Sequence, residues 1–330
     1  MIADIVFGFL GSGKTTFITR ILREWGDKEK IVVLVNEFGE VGIDGDLLKG
    51  QGGNVVEMPS GCICCTLQSD FRSQMLDIIQ TINPQRVIVE PTGVATIEQI
   101  RTIIEAQMFE DVIKTINNIL VADASGFMGL YKANRHFVES QVKNARVVLL
   151  NKTDKVDKRK AEVTRNAISA INPKTTVLMT QFGAVDWVQY QLALSTLPES
   201  KGRLDATYPH ESHGEIEYAE DGSRLIHLQH EQDALGYESF GCLYGDLSFD
   251  QAALEKLFQQ LTTPEMGEIV RAKGIFCIGE KWVLMELASG DFSFQPIGPS
   301  RESKVSVIGR GLDREMIGSA FEKCVSGETS

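Results

Sequence analysis

The chain reads as an α/β protein in two units. The first is a doubly wound domain with a mostly parallel sheet, and the second is a smaller α+β domain with an antiparallel sheet. Three observations predict this. From residue 1 to about 195, short β-branched runs alternate with helical stretches, the rhythm of linked βαβ units. Near residue 197 a stretch rich in Pro, Gly, Ser and charge breaks that rhythm. Beyond it the order becomes strand, helix, strands, helix. The expected boundaries are therefore 1–196 for the first domain, 197–234 for a linker and loop, and 235–330 for the second domain.

Each element has its own warrant. "IADIVF", "KIVVLVN", "NVVEM", "RVIVE", "INNILVAD", "ARVVLLN" and "TTVLMT" are short apolar runs bounded by Gly, Pro, Asn or Asp. Near-continuous apolarity suits strands covered on both faces, hence the parallel sheet. Between residues 68 and 82, Phe71, Met75, Ile78, Ile79 and Ile82 recur at helical spacing and predict one buried face. In the second unit, "GYESFGCLYGDLSF", "GIFCIG", "KWVLMEL" and "SKVSVIG" read as strands. "DQAALEKLFQQL" reads as a helix burying Leu254, Leu257, Phe258 and Leu261. The last helix, "DREMIGSAFEKC", is expected to turn Met316, Ala320, Phe321 and Cys324 inward.

Composition excludes several classes. A hydrophobic content of 43% with 24% charged residues is that of a globular protein. No apolar run approaches the roughly 18 residues of a membrane span. The N-terminal "MIADIVFGFLGSGK" has no basic leader and no small-residue cleavage site, so it reads as a first strand and residence in the cytoplasm is expected. The net charge of −12 argues against nucleic acid as a main partner, because phosphate neutralisation needs a basic surface. In a reducing compartment the six cysteines are not expected to form a disulfide framework.

Residues 8–15, "GFLGSGKT", fit G-x-x-x-x-G-K-[ST] after a strand and before a helix, which marks a P-loop NTPase domain. Gly8, Gly11 and Gly13 let the backbone curl so that its N–H groups, those of Ser12 and Thr16 among them, point at phosphate oxygens. The helix N-terminus adds its positive end. Lys14 reaches the β- and γ-phosphates, and the Thr15 hydroxyl is a Mg²⁺ ligand. "RVIVEPTG" ends a strand on Glu90, the carboxylate expected near that Mg²⁺, with Gly93 close to the γ-phosphate. In "VVLLNKTD", Asn151, Lys152 and Asp154 follow a strand far downstream. An aspartate there can accept hydrogen bonds from guanine N1–H and its 2-amino group. Adenine lacks those donors, so GTP and GDP are the expected nucleotides.

Between the P-loop and Glu90 lies "GCICC", which places Cys62, Cys64 and Cys65 within four positions. Three thiolates and one outside ligand satisfy a tetrahedral soft-metal site. Glu37, water or a client residue are candidate fourth ligands. The alternatives are a Cys62–Cys65 redox pair and plain core filling. Cys242, Cys277 and Cys324 fall in apolar strand or helix patterns and read as core residues.

"GFLGSGKTT", "NEFGEVGID", "GCICC", "EPTG" and "NKTD", in that order, resemble the CobW-type metallochaperone GTPases, relatives of the nickel-insertion GTPases for urease and hydrogenase. "VRAKGIF" and "VSVIGRGLDREMIGSAFEKC" resemble that family's C-terminal domain, so the likeness covers most of the chain. It implies that Glu37 and Asp44 belong to switch I and that Cys62, Cys64 and Cys65 hold a transition metal, Zn²⁺ first, with Co²⁺ or Ni²⁺ as alternatives. It further implies that Thr180 to Gly183 pack near guanine. Many members carry a His-rich tract between the domains. Here only His210, His213, His227 and His230 are present, and they read as surface residues. The implied partners are a client metalloprotein and a second copy of the chain.

The function expected is a slow GTPase that couples nucleotide state to metal delivery, slow because no cis arginine finger is evident. Two rivals are a GTP-binding metal sensor or adaptor with little turnover, and a P-loop small-molecule kinase with a structural zinc site.

Overall fold

The computed structural model describes residues 1–35, 54–57, 67–91, 97, 101, 104–105, 107–195, 217–218, 224–225, 236–288, 290–300 and 302–326. The first domain is built on β1 (Ile2–Phe7), β2 (Ile31–Val35), β3 (Asn54–Glu57), β4 (Arg86–Glu90), β5 (Thr115–Asp123), β6 (Val147–Asn151) and β7 (Thr176–Met179). They form one sheet in the order β3-β2-β4-β1-β5-β6-β7, and every pairing is parallel. β1, β2, β4 and β6 are buried along almost their whole length, which is why their sequences are apolar without alternation.

Helices cover both faces. On one, Phe17, Ile18, Ile21, Leu22 and Trp25 of α1 (Lys14–Trp25) pack with Val6, Val33 and Ile88. The second face is covered by α2 (Leu67–Asp77), α3 (Phe127–Ala133), α4 (Arg135–Asn144) and α5 (Lys158–Ile171), through Met75, Phe127, Phe137, Val138, Val142 and Ile168. α6 (Trp187–Ser195) returns to the first face, where Tyr190 and Ala193 join the α1 cluster. The helix expected over 68–82 is divided. It is α-helical to Asp77 and a π-turn over Ile78–Ile82, with Met75 and Ile78 buried and Ile79 and Ile82 half-buried; the Phe71 side chain lies outside the described residues.

One polar network interrupts this core. Asp4 on β1 is fully buried and accepts from Arg86 at 2.5 Å and from Asn117 at 2.7 Å. Arg86 also donates to Glu29 at 2.8 Å and lies 4.9 Å from the Trp25 ring centroid. Burial pushes the Asp4 carboxyl up, against the pull of Arg86 and Asn117.

Two short strands follow, β8 (Glu217–Tyr218) and β9 (Arg224–Leu225), paired antiparallel. The second domain is a five-stranded antiparallel sheet in the order β10-β14-β11-β12-β13. Its strands are β10 (Glu238–Gly245), β11 (Glu268–Ile278), β12 (Lys281–Ala288), β13 (Asp291–Ile297) and β14 (Ser303–Arg310). α7 (Gln251–Gln260) and α8 (Arg314–Glu322) pack on one face, where Leu254, Phe258, Ile317 and Phe321 meet Ala272, Phe276, Met285 and Val305.

Two expectations are corrected here. Met316 is 45% exposed, and Ile317 takes the inward position, so the buried set is Ile317, Phe321 and Cys324. α8 is N-capped by Asp313, which accepts from the Met316 N–H; in this first turn Ile317 rather than Met316 faces the sheet, while Phe321 and Cys324 are buried as expected and Ala320 is half-buried. β13 is an additional strand. It forms the sheet edge with alternating half-burial, and as an edge it tolerates Pro296. Cys324 is buried, whereas Cys242 and Cys277 are half-buried. Among the described residues, no helix is long and apolar enough to cross a membrane.

Candidate nucleotide site

The C-terminal ends of β1, β4 and β6 open on one edge of the parallel sheet, where a doubly wound fold places its ligand. The residues after β1 curl back on themselves. Gly8 has φ +140°, and a Cβ there would sit 2.1 Å from the Val121 carbonyl oxygen. Gly13 has φ +102°, N-caps α1, and a Cβ there would meet the Asn151 amide nitrogen at 2.4 Å. Both positions demand glycine by conformation and by space. α1 carries no acidic residue in its first turn, so its positive end is uncompensated by its own sequence. Lys14, 5% exposed, folds over the loop and donates to the Gly8 and Phe9 carbonyls at 3.1 and 3.4 Å. Ser12 is buried, and Gly11 and Thr16 line the same opening.

The Thr15 hydroxyl donates to Glu90 at 3.0 and 3.3 Å across 75 positions of sequence. Glu90 ends β4, which pairs with β1, so strand adjacency alone delivers its carboxylate to the start of α1. Thr15 Oγ1 and the Glu90 carboxylate form an all-oxygen donor pair of the kind Mg²⁺ takes, and the residues present fit that ion.

Asn151 ends β6 and is 2% exposed. Its amide donates to the Ser12 carbonyl at 2.9 Å, and its carbonyl accepts from the Thr180 hydroxyl at 3.1 Å and the Gly183 N–H at 2.9 Å. It therefore ties the phosphate loop to residues 180–183. Thr153 reinforces the join, its N–H and hydroxyl both donating to the Thr180 carbonyl. Lys152 adopts φ +57° and pairs with Asp123 at 2.9 Å. Burial would raise the Asp123 carboxyl, but Lys152 and the Ser125 hydroxyl and N–H outweigh it and hold it below the usual range. Asp154 is exposed on the turn Thr153–Lys155 and faces the cavity.

The cavity measures about 1090 Å³. Lys14, Thr15 and Glu90 mark one part of its wall, and Asp154 and Phe182 mark another. Two contributors, Asp123 and Arg20, carried no motif, whereas Phe182 belongs to the 180–183 segment expected near guanine. Asp123 ends β5 and orients Lys152; its only sequence signal is an acid at a strand end. Phe182 is 65% exposed on the cavity rim, and Arg20 donates to its carbonyl at 2.6 Å. Of the remaining expected site residues, Glu37, Asp44, Cys62, Cys64, Cys65 and Gly93 lie outside the described residues, as do His210, His213, His227 and His230.

A glycine cradle at a helix start, a lysine over it and a strand-end carboxylate on the adjacent threonine define a P-loop nucleotide-binding protein. The family model described as "CobW/HypB/UreG, nucleotide-binding domain" matches residues 2–179, and the cobalamin synthesis protein cobW C-terminal domain matches residues 242–325. The chain belongs to the CobW/HypB/UreG family. It is 27% identical over 315 residues to the zinc chaperone YeiR of Escherichia coli K12, covering 92% of each chain. It is 29% identical over 214 residues to the zinc chaperone CobW of a Sinorhizobium species, covering 56% of this chain and 60% of that one. The Zn(II)-bound YjiA GTPase from E. coli aligns over 99% of both chains at 23% identity, with a TM-score of 0.45.

Proposed function

We propose that this protein is a GTP-hydrolysing metallochaperone, with guanine nucleotide bound between the P-loop and the Asp154 turn. The observation that carries the reading is the convergence of Lys14, Thr15–Glu90 and the Asn151–Asp154 segment on one cavity. Loop N–H groups and Lys14 hold the phosphates and neutralise their charge. Thr15 and Glu90 would hold Mg²⁺, which supplies further charge neutralisation at the phosphates. Asp154 accepts from guanine and leaves adenine without a partner. Hydrolysis converts GTP and water to GDP and phosphate, and Glu37, Asp44 and Gly93 are the proposed sensors of the γ-phosphate.

Cys62, Cys64 and Cys65 are the proposed thiolate ligands of the cargo ion, with Glu37, water or a client residue as the fourth. Zinc is the cargo this reading favours, supported by thiolate softness and by relatives named zinc chaperones. Titration with GTP and GDP, with and without Zn²⁺, tests the coupling. It must be reciprocal, so zinc should tighten GTP by the factor by which GTP tightens zinc. Identical GTP affinity in both conditions would refute it. Lys14→Ala should abolish nucleotide binding and spare zinc binding, and a Cys62/Cys64/Cys65 triple serine variant should do the reverse.

A further inference from the structure

We propose that the C-terminal domain reads the occupancy of the nucleotide site through side chains of the phosphate loop itself. Phe9 and Leu10 grip it at one place, Lys155 grips it beside the base-recognition turn, and its sheet forms the far wall of the cavity. The proposal rests on the guanine-nucleotide reading above and adds the element that responds to the nucleotide.

A phosphate loop uses backbone N–H groups, so its intervening positions are free to serve another purpose. Here two of them are Phe and Leu. Leu10 is 4% exposed and is buried in a cluster with Tyr237, 5% exposed, and Ile308, 3% exposed, flanked by Phe9 and Val270. This cluster is separate from the cores of both domains and joins them. The Phe9 ring lies 6.0 Å from Tyr237 and 6.4 Å from Phe137, centroid to centroid, so it bridges the two domains. The Arg310 guanidinium sits over the Tyr237 ring, 4.6 Å from its centroid. The Phe9 main chain belongs to the phosphate site: its carbonyl accepts from Lys14 Nζ at 3.4 Å and the Ser12 N–H at 3.2 Å. One residue thus places its backbone in the nucleotide cradle and its side chain on the second domain. A shift of the Phe9 backbone therefore displaces its ring against Tyr237 and Phe137.

The second grip is an ion pair. Lys155, next to Asp154, pairs with Asp291 at the start of β13. Between the grips, Arg271 and Lys273 of β11 line the same cavity as Lys14, Thr15 and Glu90. Their neighbours Ala272 and Phe276 point the other way, into the core beneath α7 and α8. Arg271 is held by Glu286 at 3.5 Å. In a chain of net charge −12, the described cavity lining carries seven Lys or Arg against four carboxylates, so positive charge from both domains is concentrated where a polyphosphate would lie.

By linkage, the factor by which the docked domain strengthens nucleotide binding equals the factor by which nucleotide strengthens docking, so a variant that undocks the domain loses that factor of affinity. Fluorescent GDP and a non-hydrolysable GTP analogue are titrated into the full-length wild type, Tyr237→Ala and Asp291→Ala, with circular dichroism confirming the fold. Tyr237→Ala is expected to bind at least one nucleotide at least about fivefold more weakly. Asp291→Ala changes an exposed side chain that does not endanger folding, and it is expected to cost about twofold to fivefold. If Tyr237→Ala fails to fold, Asp291→Ala decides alone. Wild-type affinity in the folded variants overturns the proposal and leaves the guanine reading intact. A wild type that binds no guanine nucleotide overturns both.

Discussion

Replacing Asn151 with alanine tests whether the first residue of the N-K-x-D element acts as a strut. Its side chain makes three buried hydrogen bonds, to Ser12, Thr180 and Gly183. Their directions are fixed, because the Gly183 N–H can only donate and the Ser12 carbonyl can only accept. Three bonds at about 1 kcal/mol each give a loss of about 3 kcal/mol, and stranding the partners away from water adds to it. Urea unfolding of the full chain, followed by circular dichroism, should show the first-domain transition moved by that amount with its slope unchanged. Asn151→Asp is the sharper control. It is isosteric and keeps the acceptor for Thr180 and Gly183, but it turns an oxygen toward the Ser12 carbonyl at the 2.9 Å now spanned by the donor. It should be at least as destabilising as alanine. A loss below about 1 kcal/mol for Asn151→Ala, or full tolerance of Asn151→Asp, would refute the strut.

Glu90→Gln keeps the acceptor for Thr15 but removes the charge, so Mg²⁺-dependent nucleotide affinity should fall about tenfold to a hundredfold while Mg²⁺-free binding changes little; parallel titrations with and without EDTA check this. Asp154→Ala should lower the preference for GTP over ATP by at least about tenfold, read by competition against labelled GDP. Asp4→Ala removes the buried acceptor of Arg86 and Asn117 and leaves the Arg86 guanidinium with Glu29 as its remaining carboxylate; it should cost about 2–4 kcal/mol in denaturant unfolding. Asp123 has its carboxyl held below the ordinary range, so its support of Lys152 is complete above the unfolded pKa and is lost as pH falls through the lower folded value. The acid limb of the stability curve, as pH falls through and below the ordinary aspartate value of about 3.9, should be shallower in Asp123→Asn than in wild type.

Most of the first domain was legible because its signals are local. Seven strand segments declared themselves by uninterrupted apolar runs, and G-x-x-x-x-G-K-T names a backbone turn that follows directly from glycine spacing. The second domain was less legible. β13 is an edge strand only half-buried on alternate residues and contains Pro296, so its strand signal is weak. In α8, Met316 and Ile317 are both apolar, and only the Asp313 cap and the packing against Phe276 and Phe321 decide which one turns inward.

What this sequence determined unaided is therefore the alternation of strands and helices, the phosphate-loop turn, and the types of donor group the chain carries. Each depends on residues within one or two turns of each other, where backbone sterics leave few choices. The tertiary structure alone decided the partners of those groups: Glu90 on Thr15, Asn151 between Ser12 and Gly183, Asp123 on Lys152, and Phe9 on Tyr237. These contacts span tens to hundreds of positions. They depend on β1 lying between β4 and β5 and on where the second sheet comes to rest. Hydropathy reports that a strand is buried, and only the assembled sheet specifies which strands become its neighbours.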